Sequence, residues 1–404
     1  MKIAILTSGV APVPATKGGA VENLVQHILE VNEKNKDFKI EVYSIYDSEA
    51  EIDCKRYKET KVKFFKPSFI CSTGDKFIYF VMTNILKRKN NMKFRSILSR
   101  FEYIKKVKKE LNKNEYDKVI LENHPTIFMA LKGDNEIKFK DKYYYHLHNE
   151  VFNMYGCEEI ARNSKKIMGV SKFICENIQK MSGIAKDKVV PLYNCIDIEK
   201  FSKDMYINDF KDLRKTYGIQ EDDIVAVYSG RLAKDKGIFE TLQGIKNIDN
   251  PKVKLLIIGA YFYGSDMKSE YQTSLMELAE EIKDRVIFTG YVHYKDIPKV
   301  YSIADFAILP SLCNEAAGLT IIEAMAMRLP VITTNAGGIP EYIDESAGFI
   351  LNRDEKLVDN ITQKAKILVE DKELREKIGM RAEQEAKNYN LDNYYNSFKN
   401  ILEE

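Results

Sequence analysis

Two glutamates stand eight residues apart in segment 310–324: Glu315 in Pro-Ser-Leu-Cys-Asn-Glu, and Glu323 in Leu-Thr-Ile-Ile-Glu-Ala. The apolar run 305–309 ahead of them reads as a strand, and 319–328 reads as a helix. Glu315 then falls in a strand-to-helix loop, and Glu323 lies about one turn into the helix. Fully helical spacing would separate them by roughly 12 Å along the axis. That is too far for a shared proton or a shared metal, and it suits carboxylates gripping hydroxyls at opposite ends of one long polar ligand. For either glutamate alone, the competing reading is a solvated partner of the helix macrodipole.

Three loops add groups suited to anions. Ser229-Gly230-Arg231-Leu232-Ala233-Lys234-Asp235-Lys236-Gly237 follows an apolar strand. Arg231 can fork onto phosphate oxygens and Lys236 can add a mobile point charge. Gly237 lets the next helix begin close to a ligand. The first loop ends Lys17-Gly18-Gly19-Ala20 before a helix, which fits either backbone amides approaching a phosphate or a plain strand-to-helix turn. Its spacing matches neither the dinucleotide fingerprint nor a P-loop. The third loop, Thr334-Asn335-Ala336-Gly337-Gly338-Ile339-Pro340-Glu341, offers backbone amides or is a mere connection. His148 ends the strand Tyr-Tyr-Tyr-His-Leu-His, with His146 on the same strand face, and His124 ends the strand before it. There is no Asp-x-Asp pair, no Gly-x-Ser-x-Gly elbow and no zinc-spaced Cys/His set, so no metal and no cofactor are expected.

The elements that must position these groups alternate along the chain. Strands are expected at 2–7, 40–45, 62–65, 118–122, 143–148, 166–170 and 189–193, then at 224–229, 254–258, 285–288, 306–309, 331–333 and 348–351. Helices are expected at 19–34, 76–88, 96–113 and 172–181, and successive helices fill the chain from about 354. Near-continuous apolar strands alternating with helices predict parallel sheets covered on both faces. Two such series predict an α/β protein of two doubly wound, Rossmann-like domains facing each other across an interdomain cleft. Ligands would lie beyond the carboxyl ends of the strands. The expected division is 1–200 and 201–387.

At 404 residues, with 62 Lys and Arg against 60 Asp and Glu, the chain has no global field that would attract nucleic acid, and none is expected as partner. Charge is uneven, however. Segment 76–113 carries twelve Lys or Arg against Glu102 and Glu110, interleaved with Phe77, Ile78, Phe80, Phe94, Ile97, Phe101 and Ile104. That pattern fits an anionic membrane surface, or an ordinary solvated helix face with core residues. The six cysteines are sparse and irregular, as in a cytoplasmic protein. The apolar run at the N-terminus is too short for a signal peptide or a span, so the protein is expected to be soluble, cytoplasmic and perhaps peripheral at the inner face of the plasma membrane.

Together the motifs resemble the retaining glycosyltransferases of family four, the GT-B type found in bacterial cell-envelope polysaccharide synthesis. The residues that carry the likeness are Gly18-Gly19, Gly230-Arg231-Leu232 with Lys236-Gly237, Pro310-Ser311 with Glu315 and Glu323-Ala324, and Gly337-Gly338-Ile339-Pro340-Glu341. Val170-Ser171-Lys172 and Tyr193-Asn194-Cys195-Ile196-Asp197 are lesser markers. The resemblance implies that Arg231 and Lys236 hold the diphosphate of a nucleotide sugar and stabilise its departure. It implies that Glu323 binds the ribose, and that Glu315 with the amides of Ala316, Ala317, Gly318, Leu319 and Thr320 meets the transferred sugar. Gly18, Gly19 and Gly230 would line the donor, His148 would touch its sugar, and a helix from about 388 to 404 would return to the first domain. The implied reaction moves a hexose or N-acetylhexosamine, most simply from a UDP sugar, to a glycan or lipid-linked acceptor, with retention and without metal. Three residues separate Ser311 from Glu315 where the family has two, Ala317 replaces a frequent aromatic, and Cys195 replaces a glycine. The alternatives are a catalytically silent partner subunit of another glycosyltransferase and a nucleotide-sugar epimerase.

Overall fold

The structure is a computed structural model that describes residues 1–86, 95–259 and 270–404. The chain divides into two compact units. One comprises Met1–Leu192 with Tyr394–Glu404, and the other Tyr193–Asn393. The sequence reading set the boundaries at 200 and 387; the units divide after Leu192 and after Asn393.

The first unit contains strands β1 (Lys2–Leu6), β2 (Lys39–Ile45), β3 (Thr60–Phe65), β4 (Lys118–Glu122), β5 (Tyr143–Leu147), β6 (Lys166–Gly169) and β7 (Val189–Pro191). Their order is β3-β2-β1-β4-β5-β6-β7, and every pairing is parallel. The order reverses between β1 and β4, the position at which open α/β sheets present a ligand crevice beyond the strands' carboxyl ends. Ile3 to Leu6 and Val119 to Leu121 are wholly buried, because helices cover both sheet faces.

The second unit contains β8 (Ile224–Ser229), β9 (Val253–Ile258), β10 (Val286–Gly290), β11 (Phe306–Leu309), β12 (Val331–Thr334) and β13 (Gly348–Leu351). Their order, β10-β9-β8-β11-β12-β13, is again all parallel, with the reversal between β8 and β11. β8 sends Val225 and Val227 into one core and Ala226 and Tyr228 into the other. Alternate residues of a strand point to opposite faces, so a strand covered twice must be apolar throughout. Each such side chain contributes roughly 1.5–3 kcal/mol on burial. The doubly wound expectation holds for both units.

One helix begins earlier than expected. In place of 76–88, a helix runs Phe69–Phe80 and continues as a π-type turn over Val81–Ile85; positions 87 and 88 lie outside the described residues. Ser68 caps it, accepting from the Cys71 amide, and is itself fixed by Glu102, which accepts from the Ser68 amide at 2.8 Å. Asp75 in turn accepts from the amides of Leu98 and Ser99 at 2.8 and 2.9 Å, satisfying the first turn of the helix Ile97–Lys113. Residues 394–404 belong to the first unit through the last helix, Leu391–Glu403. Tyr395 donates to Asn32 at 2.9 Å, and Lys399 meets Asp37 at 2.6 Å.

Candidate active site

The loop after β8 is built by a residue that the apolar strand pattern conceals. Tyr228 is buried, and its hydroxyl donates to the carbonyls of Arg231 at 3.0 Å and Lys236 at 3.3 Å. One strand side chain thus holds both ends of the turn carrying the two cations. Gly230 leaves β8 with its amide bonded to the Ile258 carbonyl. Gly237 starts the helix Ile238–Lys246 with φ +69°, and a Cβ there would stand 2.0 Å from the Pro310 carbonyl oxygen. Glycine is required for this approach of one backbone to another.

The segments 229–237 and 310–315 are joined through Asp235. Its carbonyl accepts from the Leu312 amide at 2.9 Å, and its carboxylate takes Arg231 Nη2 at 3.1 Å. Lys236 Nζ reaches Glu315 Oε1 at 2.5 Å, and the Ser311 hydroxyl bonds the same oxygen. Both side chains of the Lys236–Glu315 pair keep about a fifth of their surface exposed, so a ligand can still reach them. Glu315 is held from behind by the third loop. Gly338 donates to its carbonyl at 2.7 Å, and Gly337, at φ +61°, lies so close that a Cβ would sit 2.4 Å from that oxygen. The stretch 334–341 is therefore a support for Glu315.

Ala316, Ala317 and Gly318 lead into the helix Leu319–Ala326. Helix geometry leaves the Leu319 and Thr320 amides without intrahelical acceptors, and Gly318 supplies no side-chain cap. These amides can meet hydroxyls or negative charge. Glu323, on the same helix, is 3% exposed. Burial pushes its carboxyl up to about 8, against a hydrogen bond from Tyr294 that pulls the other way. The sequence had offered Glu323 without its tyrosine neighbour.

In the first unit, Gly18 and Gly19 precede the helix Ala20–Asn35. Lys17 is turned to Glu49 at 2.9 Å and Asp47 at 3.4 Å, and Glu22 packs against Gly19. Burial, with Glu122 adding repulsion, raises the Glu22 carboxyl above its ordinary value. His148 lies just past β5, and its Nε2 stands 2.9 Å from Glu122 Oε2; His146 Nδ1 stands 3.2 Å from the same oxygen. Glu122 ends β4 and went unnoticed because an apolar strand with a terminal acid is unremarkable until its β5 neighbours are known. Burial favours the neutral Glu122 carboxyl, but the two imidazoles outweigh it and leave the group below its usual range. Burial, then the neighbouring His146, holds the His148 imidazole down at about 4. The consistent state is a Glu122 carboxylate receiving an N–H bond from the neutral His148 imidazole. Among the described residues, Glu122, His146 and His148 are also the group whose ligand atoms lie close enough to hold a metal ion. The 2.9 Å approach is that of a hydrogen bond.

Two doubly wound parallel-sheet units, the second with a cation–carboxylate cluster at its strand ends, constitute the GT-B architecture of glycosyltransferases. Residues 209–385, nearly all of the second unit, match the family model described as Glycosyl transferases group 1. The chain is 26% identical over 397 residues to spore coat protein SA of Bacillus subtilis, covering 96% of this chain and 94% of that protein. It is 28% identical over 302 residues to the lipopolysaccharide 1,2-N-acetylglucosaminetransferase of Salmonella typhimurium, covering 70% and 76%. The fold matches the crystal structure of Anabaena Alr3699/HepE in complex with UDP at a TM-score of 0.73 and 18% identity, with 100% of both chains covered. These likenesses support glycosyltransferase activity, with relatives in polysaccharide and cell-envelope synthesis.

Proposed function

We propose that the chain is a retaining, metal-independent glycosyltransferase. It moves a hexose or N-acetylhexosamine from a UDP sugar to a glycan or lipid-linked acceptor in cell-envelope polysaccharide synthesis. The observation that carries this reading is the Lys236–Glu315 pair with Arg231 beside it, braced by Asp235, Ser311 and the 334–341 loop. Arg231 and Lys236 neutralise the diphosphate as the bond to the sugar's anomeric carbon breaks. Glu315 and the amides at Leu319 and Thr320 hold the sugar hydroxyls, and Glu323 holds the ribose. The acceptor oxygen bonds the anomeric carbon on the face the diphosphate leaves, and the acceptor's proton passes to the departing phosphate oxygen. Preorganised cations supply the charge stabilisation in such a step. The Anabaena neighbour is described with UDP and with UDP-glucose, which favours uracil as the base.

Calorimetry and thermal shift with UDP, GDP, ADP and their sugar conjugates test the donor assignment. Binding confined to the UDP series and unchanged by EDTA is the expected result. At a hundredfold excess over Kd it adds about 2.7 kcal/mol of stability. No binding across the panel would move the assignment to a catalytically silent partner. Free UDP with an epimerised sugar, formed without acceptor, would instead favour an epimerase.

A lipid-linked acceptor is favoured by a separate surface. The helix Phe69–Phe80 exposes Phe69 and Ile70 at 84% and 81%, together with Phe77 and Phe80. The helix Ile97–Lys113 adds exposed Phe101, Lys105, Lys108, Lys109 and Lys113. Residues 87–94 of the basic stretch lie outside the described residues. Apolar side chains beside lysines suit an anionic bilayer surface. No helix among the described residues is long and apolar enough to cross a membrane. The protein should sediment with phosphatidylglycerol vesicles at low salt, and Phe69→Ser/Phe77→Ser should release it. Failure of the native protein to sediment removes the surface assignment.

A further inference from the structure

Arg100 stands in the helix Ile97–Lys113, one turn ahead of Tyr103. Tyr103 donates to the Tyr43 carbonyl at 2.6 Å and bonds the Thr7 carbonyl at 3.3 Å. Its ring packs under Gly9, where a Cβ would meet it at 2.7 Å. The helix is thereby fastened over the carboxyl end of β1, beside the switch point with β4. Arg100 Nε and Nη2 are both buried and have no hydrogen-bond partner among the described residues. These two N–H groups form one edge of the guanidinium, the edge that takes a carboxylate or phosphate in bidentate fashion. The groups bearing on this cation are the phenols of Tyr155, Tyr103 and Tyr145; none is a carboxylate. Burial holds the guanidinium down to about 10. Arg100 as a whole is half-buried, but the buried edge of a cation left without a counter-charge is unfavourable unless something else supplies one.

His124 lies within reach of the same charge. Burial first, then Arg100, lowers its imidazole to about 4, so it is neutral. Its Nδ1 accepts from the Thr126 amide at 3.3 Å, which leaves the proton on Nε2 as a donor. Tyr155 stacks on the ring at 5.4 Å between centroids and fixes its plane. A forked cation and an oriented N–H donor thus lie within electrostatic reach of each other at the carboxyl edge of the sheet, with His124 two residues past Glu122.

We propose that Arg100 and His124 form a subsite for an oxyanion, a phosphate or a carboxylate, carried by the acceptor. The proposal rests on the glycosyltransferase reading for the word acceptor; the anion site itself stands on the first unit's geometry. Arg100 takes the anion side-on through Nε and Nη2, and His124 Nε2–H donates to a remaining oxygen.

The test titrates inorganic phosphate and succinate into the full-length native protein and into Arg100→Met, with UDP affinity measured on the same samples. The Arg100-dependent part of the anion affinity should weaken about 10- to 100-fold, the worth of hydrogen bonds to a charged group. UDP affinity should not change. In anion-free buffer Arg100→Met should melt higher than the native protein, because the buried, unpaired edge of the guanidinium is gone; a merely structural arginine would give the opposite sign. Should Arg100→Met fail to fold, Arg100→Lys keeps the charge, loses the fork and should weaken binding likewise. Preference for phosphate identifies a phosphorylated acceptor, and preference for succinate a carboxylated one. Anion binding that is absent, or unaffected by the substitutions, overturns the subsite while intact UDP binding preserves the donor reading. Loss of UDP binding in the native protein overturns the donor reading and leaves the anion comparison readable.

Discussion

Lys236→Ala should lower the transfer rate about 10²-fold with the melting temperature nearly unchanged, since removing one preorganised charge contact to a transition state has about that effect. The side chain is partly exposed and anchors no core element, so folding does not depend on it. Its removal has a second consequence. Glu315 Oε1 would keep only the Ser311 hydroxyl and would present an unneutralised carboxylate to an incoming diphosphate. The double variant Lys236→Ala/Glu315→Gln should therefore recover part of the lost donor affinity, although not the rate. Arg231→Ala should also lower the rate about 10²-fold, and the accompanying change in affinity should be smaller, because its partner Asp235 is the more exposed carboxylate. Steady-state kinetics with the UDP sugar identified by calorimetry gives both quantities. Full activity in both single variants would falsify the diphosphate assignment.

The grouping of Arg231, Lys236 and Glu315 could be anticipated from sequence because each lies in a loop following an apolar strand. In a doubly wound sheet such loops collect at one edge. The strands themselves were legible for a related reason: parallel strands buried on both faces are apolar through their centres, as Ile3–Leu6 of β1, Val119–Leu121 of β4 and Ile224–Tyr228 of β8 are. Through-space partners were not legible. Glu122 becomes meaningful only when β4 lies beside β5 in a register that sets Glu122 opposite His146. Tyr228 looks like one more apolar strand residue until its hydroxyl is seen holding two loop carbonyls. The start of the helix at Phe69 was missed because its determinants are distant in sequence. Ser68 is fixed by Glu102, and Asp75 caps a different helix. Arg100 appeared as one of many basic residues in 76–113. Its lack of a partner is a property of packing that composition does not carry.

Glu323→Gln should stabilise the free protein at alkaline pH and leave it nearly unchanged in acid. The native carboxyl, raised to about 8 from an ordinary 4.5, binds its proton more tightly folded than unfolded. Stability therefore falls as pH rises between about 4.5 and 8, and is level above that. A shift of this size corresponds to roughly 5 kcal/mol as an upper bound, and solvent relaxation around the charged form reduces it to about 2–4 kcal/mol. Glutamine has no proton to lose, so its stability should not show this fall. Urea unfolding at pH 5 and pH 9 measures the difference, and parallel pH profiles for the two proteins would remove the argument. The same group should couple pH to donor affinity in the opposite direction. A carboxylate accepts two ribose hydroxyls, whereas the protonated acid accepts less well. UDP affinity should consequently rise through about pH 8 in the native protein and stay flat in Glu323→Gln, with the variant about tenfold weaker at pH 9. A buried acid with no cation beside it is destabilising to the free fold, and bound hydroxyls offset that penalty only when the acid is ionised. If stability changes with pH and affinity does not, Glu323 is a strained core residue and the ribose is held elsewhere.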